Sequence, residues 1–211
     1  MKNLLFLLVF PLFLVSCSAT NQNIVNSDTA INDEEYKVYS DYFNARINID
    51  NGGKFNNICG KKDVEEILIE DKTSENGNEP QTSFTDINKY REIIKDEKLV
   101  NNYIKKNENE CSWSNKFNLA VKYSFINFKS FYKGQRKQNL EAVFKYWKEN
   151  PKKDGLYMLR RVGFNDKKDK ALVYVRKFLA GQNAAGEVVL MHKKDNKWVL
   201  SEPLIGWGWV E

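Results

Sequence analysis

The chain has 211 residues, of which 42% are hydrophobic and 29% charged, with a formal charge of +5 at neutral pH. That length suits one domain with a proper core and is marginal for two. The positive excess is small and dispersed, with lysines alternating with acids in "NPKKDG", "NDKKDK" and "HKKDNK". A nucleic-acid partner would need a stronger and more segregated basic patch, so none is expected.

The first element in chain order is a targeting segment. Lys2 is followed by an uncharged apolar run, Leu4–Val15, which stops at Ser16-Cys17. The run is too short to cross a bilayer as a helix, which takes about 20 apolar residues, and reads as a secretory signal. Leu14-Val15-Ser16-Cys17 resembles the lipobox of bacterial lipoproteins: an aliphatic residue, a tolerant position, a small residue, then cysteine. The resemblance implies cleavage between Ser16 and Cys17, a diacylglycerol on the Cys17 thiol, and acylation of the new amino group. The alternative is a plain signal peptide with an incidental cysteine. Each buried CH₂ contributes about 0.8 kcal/mol, so two or three acyl chains would hold the protein firmly to a membrane. The localisation expected is the bacterial cell envelope, on the extracytoplasmic side. Ser18 is not the aspartate that retains some lipoproteins at an inner membrane, which favours the outer one.

Removal of residues 1–16 leaves 195 residues and a charge of +4. Residues 17–32 then form the lipidated cysteine and a small, polar tether, and 33–211 a single domain. As a flexible coil the tether reaches roughly 20–25 Å. Past Cys17 only Cys59 and Cys111 remain. In an oxidising compartment they pair, or else they stay as buried thiols. A bridge would stabilise by about 4 kcal/mol in the chain-entropy model. Two distant cysteines and one histidine cannot close a zinc site, and no metal or other cofactor is expected.

From Asp33, "DEEYKVYSDYFNARI" spaces Tyr36, Tyr39, Phe43 and Ile47 as a helix, with acids in the first turn, where the helix dipole favours them. "VEEILIEDKT" alternates as a strand, and Ser74–Ser83 is a polar loop. "TDINKYREIIKDEKLVNNYIKKN" reads as one helix capped by Thr85 or Asp86. "FNLAVKYSF" puts Phe117, Leu119, Val121, Tyr123 and Phe125 on one strand face. "NLEAVFKYWKENP" gathers Leu140, Val143, Phe144 and Trp147 on a helix that Pro151 ends.

The last fifty residues are β-rich runs, "RRVGFN", "KALVYVRKFLAG", "GEVVLMHKK" and "KWVLSEPL", with "GWGWVE" as a candidate fifth. Their links are short, which forces antiparallel neighbours, and Asp195-Asn196 suits a two-residue hairpin. The expected fold is α+β: N-terminal helices packed on the apolar face of a C-terminal antiparallel meander. Residues 140–210, through "YWKENPKKDGLYML", "RVGFN", "ALVYV" and "DNKWVL", resemble an uncharacterised family of exported bacterial proteins, which implies kinship of fold and no particular activity. Arg160 stands where that family usually has serine. The architecture is also similar to NTF2-like and cystatin-like domains.

Catalytic patterns are sparse. His192 is the single histidine, and no G-x-S-x-G elbow, H-E-x-x-H helix or Walker loop occurs. Neighbouring acids such as Glu34/Glu35 and Glu65/Glu66 point apart on a helix or a strand. Trp207 and Trp209 share a strand face; exposed, they form a platform for sugars or an envelope protein, and buried, they plug the sheet's end. The expectation is an anchored, non-catalytic module that binds an envelope protein, glycan or small ligand. An NTF2-like enzyme using His192 and a carboxylate in a sheet–helix pocket is the alternative.

Overall fold

Asn32 and Glu35 open the first helix, α1 (Asp33–Gly52), as a capping box. The Glu35 amide donates to Asn32 Oδ1 at 3.1 Å, and the Asn32 amide donates to Glu35 Oε1 at 3.5 Å. The computed structural model describes residues 30–52, 65–73, 87, 91–127, 145–146, 148–178 and 184–209. Tyr36, Tyr39 and Phe43 are buried along α1 as their spacing predicts, together with Val38 and Tyr42.

Strand β1 (Glu66–Glu70) follows, then two helices where the sequence suggests one: α2 (Arg91–Ile94) and α3 (Glu97–Lys106). The break falls at Lys95, whose backbone is left-handed (φ 50°), and at Asp96. Asp96 Oδ1 accepts the Leu99 amide at 3.2 Å. A short acidic side chain that serves as an N-cap competes with helix continuation, so Asp96 starts a new helix. Thr85 and Asp86, the expected caps, lie outside the described residues.

Strand β2 (Lys122–Ile126) is shorter than its alternating run. Phe117, Leu119, Val121, Tyr123 and Phe125 nevertheless all join one core, so the predicted common face persists through the irregular residues. Then come β3 (Lys153–Leu159), β4 (Gly163–Phe164), β5 (Lys170–Phe178), β6 (Ala184–Lys194) and β7 (Lys197–Trp209). "GWGW" is the end of β7, not a fifth run: register shifts opposite Val188–Met191 let one strand carry both segments.

The sheet order among the described residues is β2-β1-β3-β5-β6-β7, with β4 also on β5. β3, β5, β6 and β7 are antiparallel neighbours, as short links require. β1 pairs in parallel with both β2 and β3, so the sheet is mixed, in keeping with an α+β domain.

Helices cover both faces of β5, where the sequence reading has them on one. Val173 and Val175 join Tyr39 and Phe43 of α1, while Leu172 and Tyr174 join Leu99, Val100 and Tyr103 of α3. Ala171–Arg176 is therefore buried without alternation. A strand buried on both sides reads as a continuous apolar run, which is what "ALVYV" is. Gly163 lies against α3, where a Cβ would meet Tyr103 Cα at 2.8 Å.

Candidate functional site

Between β3 and β4 the ladder along β5 slips. Leu159 is opposite Val175 and Gly163 opposite Leu172, so Arg160, Arg161 and Val162 face only Tyr174 and Val173. This is a one-residue bulge, and its backbone groups must find partners off the sheet. Two helices supply them. The Tyr39 hydroxyl lies 2.5 Å from the Arg160 carbonyl and 3.0 Å from that of Tyr174. Asn107 Oδ1 accepts the Arg161 amide at 2.7 Å, and its Nδ2 donates to the Arg161 carbonyl at 2.9 Å. Lys106 Nζ donates to the Val162 carbonyl at 3.2 Å, and Glu35 Oε2 accepts the Val162 amide at 3.0 Å.

Charge completes the cluster. Arg161 holds Glu35 through two bonds, Nη2 to Oε1 at 2.6 Å and Nε to Oε2 at 3.1 Å. Lys106 reaches Glu35 Oε1 at 3.1 Å. The Arg161 and Glu35 side chains are 1% and 0% exposed, so the pair survives only because it is bidentate and fully hydrogen-bonded. Burial works against the Arg161 charge, but the hydrogen bond and charge of Glu35 more than offset it and raise its pKa. For Lys106 burial outweighs the pull of Glu35, and its pKa falls below 10.5. Arg161 Nη2 also donates to the Ala30 carbonyl at 2.8 Å, and Nη1 lies 3.8 Å from the Cys111 sulfur. Arg160 is buried against the Tyr174 ring, 4.5 Å from its centroid.

A second polar group ties α1 to β6. The Tyr42 hydroxyl donates to Glu187 Oε1, and Arg46 Nη2 donates to Glu187 Oε2. Burial pushes the phenols of Tyr39 and Tyr42 well above 10.0, and for Tyr42 the Glu187 charge adds to the rise. A raised folded-state pKa stabilises fully below the unfolded value and is lost above it. Lys106 has the opposite sign, because its depressed pKa makes stability rise with pH up to 10.5. Above that point Tyr39 and Tyr42 each release a proton on unfolding, and the raised pKa of Tyr123 acts in the same direction. Stability should fall there by about 2.7 kcal/mol per pH unit. Urea midpoints on either side of pH 10.5 test this, and a midpoint that stays flat or rises contradicts it.

Among the described residues, those that the sequence singled out are not brought together. Ser16, Cys17 and Cys59 lie outside the described residues. Cys111 is half-buried beside Arg161. His192 is exposed on β6, with Nδ1 3.0 Å from Ser201 Oγ. Among the described residues no carboxylate pairs with it, and no three His, Cys, Asp or Glu converge as a metal site. Trp207 and Trp209 stand opposite Gly186 and Ala184, and their side chains lie outside the described set. The adjacent acids do diverge on α1: Glu34 accepts from Lys193 and Trp198 Nε1, while Glu35 turns to Arg161.

What sequence reasoning missed is the Glu35–Arg161 clasp. Its one legible signal was Asn32-x-x-Glu35, a capping box whose glutamate has a second use. As chemistry the clasp is a saturated set: Glu35 already accepts five bonds, so it offers no open position to a substrate. An open depression of about 300 Å³ beside α1 is lined by groups such as Asp33, Lys37, Asp41 and Lys116. There Lys116 pairs with Asp33 at 2.7 Å and Asp41 accepts the Trp198 amide at 2.9 Å. Comparison with family models, curated proteins and solved structures finds no match for this chain.

Proposed function

We infer that this protein is a lipid-anchored component of a bacterial cell envelope, and that its domain is a non-catalytic binding module. The observation that carries the reading is Leu14-Val15-Ser16-Cys17 at the end of an uncharged apolar run. A thiol in that setting is the acceptor for a diacylglycerol, and a free amino group at Cys17 would accept a further chain. Among the described residues no helix is long and apolar enough to cross a membrane, and the lipid would be the means of attachment. The binding role draws support from the polar groups at the bulge, which are bonded to one another, and from His192, which pairs with no carboxylate among the described residues. A cystatin-like or NTF2-like kinship belongs to the same proposal, supported by α1 lying on an antiparallel β5-β6-β7 meander.

Intact mass of the protein purified from native membranes tests the anchor. The expected mass is that of residues 17–211 plus acyl groups, and Cys17→Ala should abolish both cleavage and acylation. Identical, unacylated masses for the two proteins would end the proposal.

A further inference from the structure

Four turns that are far apart in sequence meet at one end of the sheet. They are the start of α1, the α2–α3 junction, the β4–β5 turn and the β6–β7 hairpin. Each is bonded to another: Lys37 Nζ to Asn196 Oδ1 at 3.2 Å, Lys170 Nζ to Asp96 at 3.7 Å, and the Lys193 amide to the Asp169 carbonyl at 2.8 Å. Lys98 and Asp166 add a further pair. Most acids of this end are already matched, Asp33 by Lys116, Glu34 by Lys193 and Glu97 by Arg91. Six lysines are left without an ion pair among the described residues: Lys37, Lys95, Lys167, Lys168, Lys194 and Lys197. All but Lys37 are exposed.

Backbone geometry gives independent support. The non-glycine residues with positive φ among those described are Lys95, Lys168, Asp195 and Asn196, at 50°, 52°, 47° and 59°, and all sit in these turns. Aspartate and asparagine enter the left-handed region readily, but lysine does so at a cost that glycine would not incur. Strained backbone of this kind collects at sites that do something. Lysine at Lys95 and Lys168 is the wrong choice for the turn and the right one for a positive surface.

We propose that this lysine end is a docking face for an anionic phospholipid surface. The inference rests on the Cys17 anchor, which decides what the face meets. Ala30 is held against Arg161 at 2.8 Å, thirteen residues after Cys17. Thirteen residues span at most about 45 Å, so an anchored domain never leaves the headgroup neighbourhood. Clusters of four to eight basic residues beside a membrane attachment bind anionic headgroups, each lysine contributing about a factor of five. One acyl anchor and one basic face would together fix the orientation of the domain, turning the opposite sheet end outward.

The test uses the protein purified from native membranes, reconstituted into phosphatidylcholine vesicles with and without phosphatidylglycerol, and mass-spectrometric acetylation of its lysines. Retention on the neutral vesicles reports the anchor by itself. The six lysines should be protected only on the anionic vesicles, with Lys122 and Lys148 as unprotected references. Protection should vanish at about 1 M salt, where the screening length is about 3 Å. The double variant K95G/K168G should lower the docking equilibrium about 25-fold while its melting temperature holds or rises. Equal labelling on both vesicles overturns the docking face even if the anchor stands. So does protection by a soluble polyanion alone, which would mark a glycan-binding surface. Loss of the protein from neutral vesicles, with lysine protection intact on anionic ones, removes the anchor and leaves the face.

Discussion

Replacing Glu35 by alanine should destabilise the domain by about 3–5 kcal/mol, the usual penalty for stranding a buried charge partner. Glu35 is fully buried and receives Arg161 through two bonds, Lys106 through one and the Val162 amide through a fourth. Alanine leaves two cations facing each other across a dry space and an amide of the bulge without its acceptor. It also removes half of the capping box that starts α1. Domains of this size are stable by about 5–15 kcal/mol, so the variant should unfold at a far lower urea concentration with little change in slope. The double variant E35A/R161M should recover part of the loss, because it removes one of the stranded cations. A midpoint for Glu35→Ala within about 1 kcal/mol of wild type would mean that water reaches the cluster and that the clasp has no structural weight.

Gly163→Ala should cost about 3 kcal/mol by overpacking, although the change adds a single methyl group. A Cβ at Gly163 would lie 2.5 Å from Tyr103 Cβ, 2.8 Å from its Cα and 2.9 Å from its amide nitrogen. Two of those are helix backbone atoms and the third, Cβ, is fixed to them, so relief requires α3 to move as a body. That motion would draw Leu99, Val100 and Tyr103 away from Leu172 and Tyr174. It would also pull Lys106 and Asn107 from the bulge, since both sit at the end of the same helix. Hydrogen exchange should therefore speed up in α3 and β5 together. Wild-type stability for this variant would mean that α3 is not held tightly on the sheet.

Local patterning carried a good share of the fold. The aromatic spacing of "YKVYSDYF" marks the buried face of α1 because a helix repeats every 3.6 residues. "ALVYV" is an unbroken apolar run because helices cover both of its faces. Short links between the last runs force antiparallel pairing, and β5, β6 and β7 obey. The α2–α3 break was less legible: apolar spacing runs straight across Lys95-Asp96, and only the capping role of Asp96 separates the helices.

The clasp was not legible, for a different reason. "RRV" and "DEE" look like solvated charge, and nothing local says that Glu35 and both arginines are buried. Glu34 and Glu35 are neighbours with opposite fates, because adjacent helix residues face about 100° apart and only one turns toward the bulge. The bulge itself arises from the count of residues between Leu159 and Gly163 against those of β5, a comparison that exists only once both strands are paired. Parallel pairing of β1 with β2 and β3 likewise needs partners brought from far along the chain.

Residue order by itself thus decided which segments are helix or strand, which side chains are apolar enough to bury, and that Cys17 ends an uncharged apolar run. Those properties depend on neighbours within a few positions. Tertiary structure alone decided that Glu35, Lys106 and Arg161 share one dry site, and that four lysine-bearing turns meet at one end. Both depend on distances between residues that the chain separates by tens of positions, and a sheet must close before such distances have values.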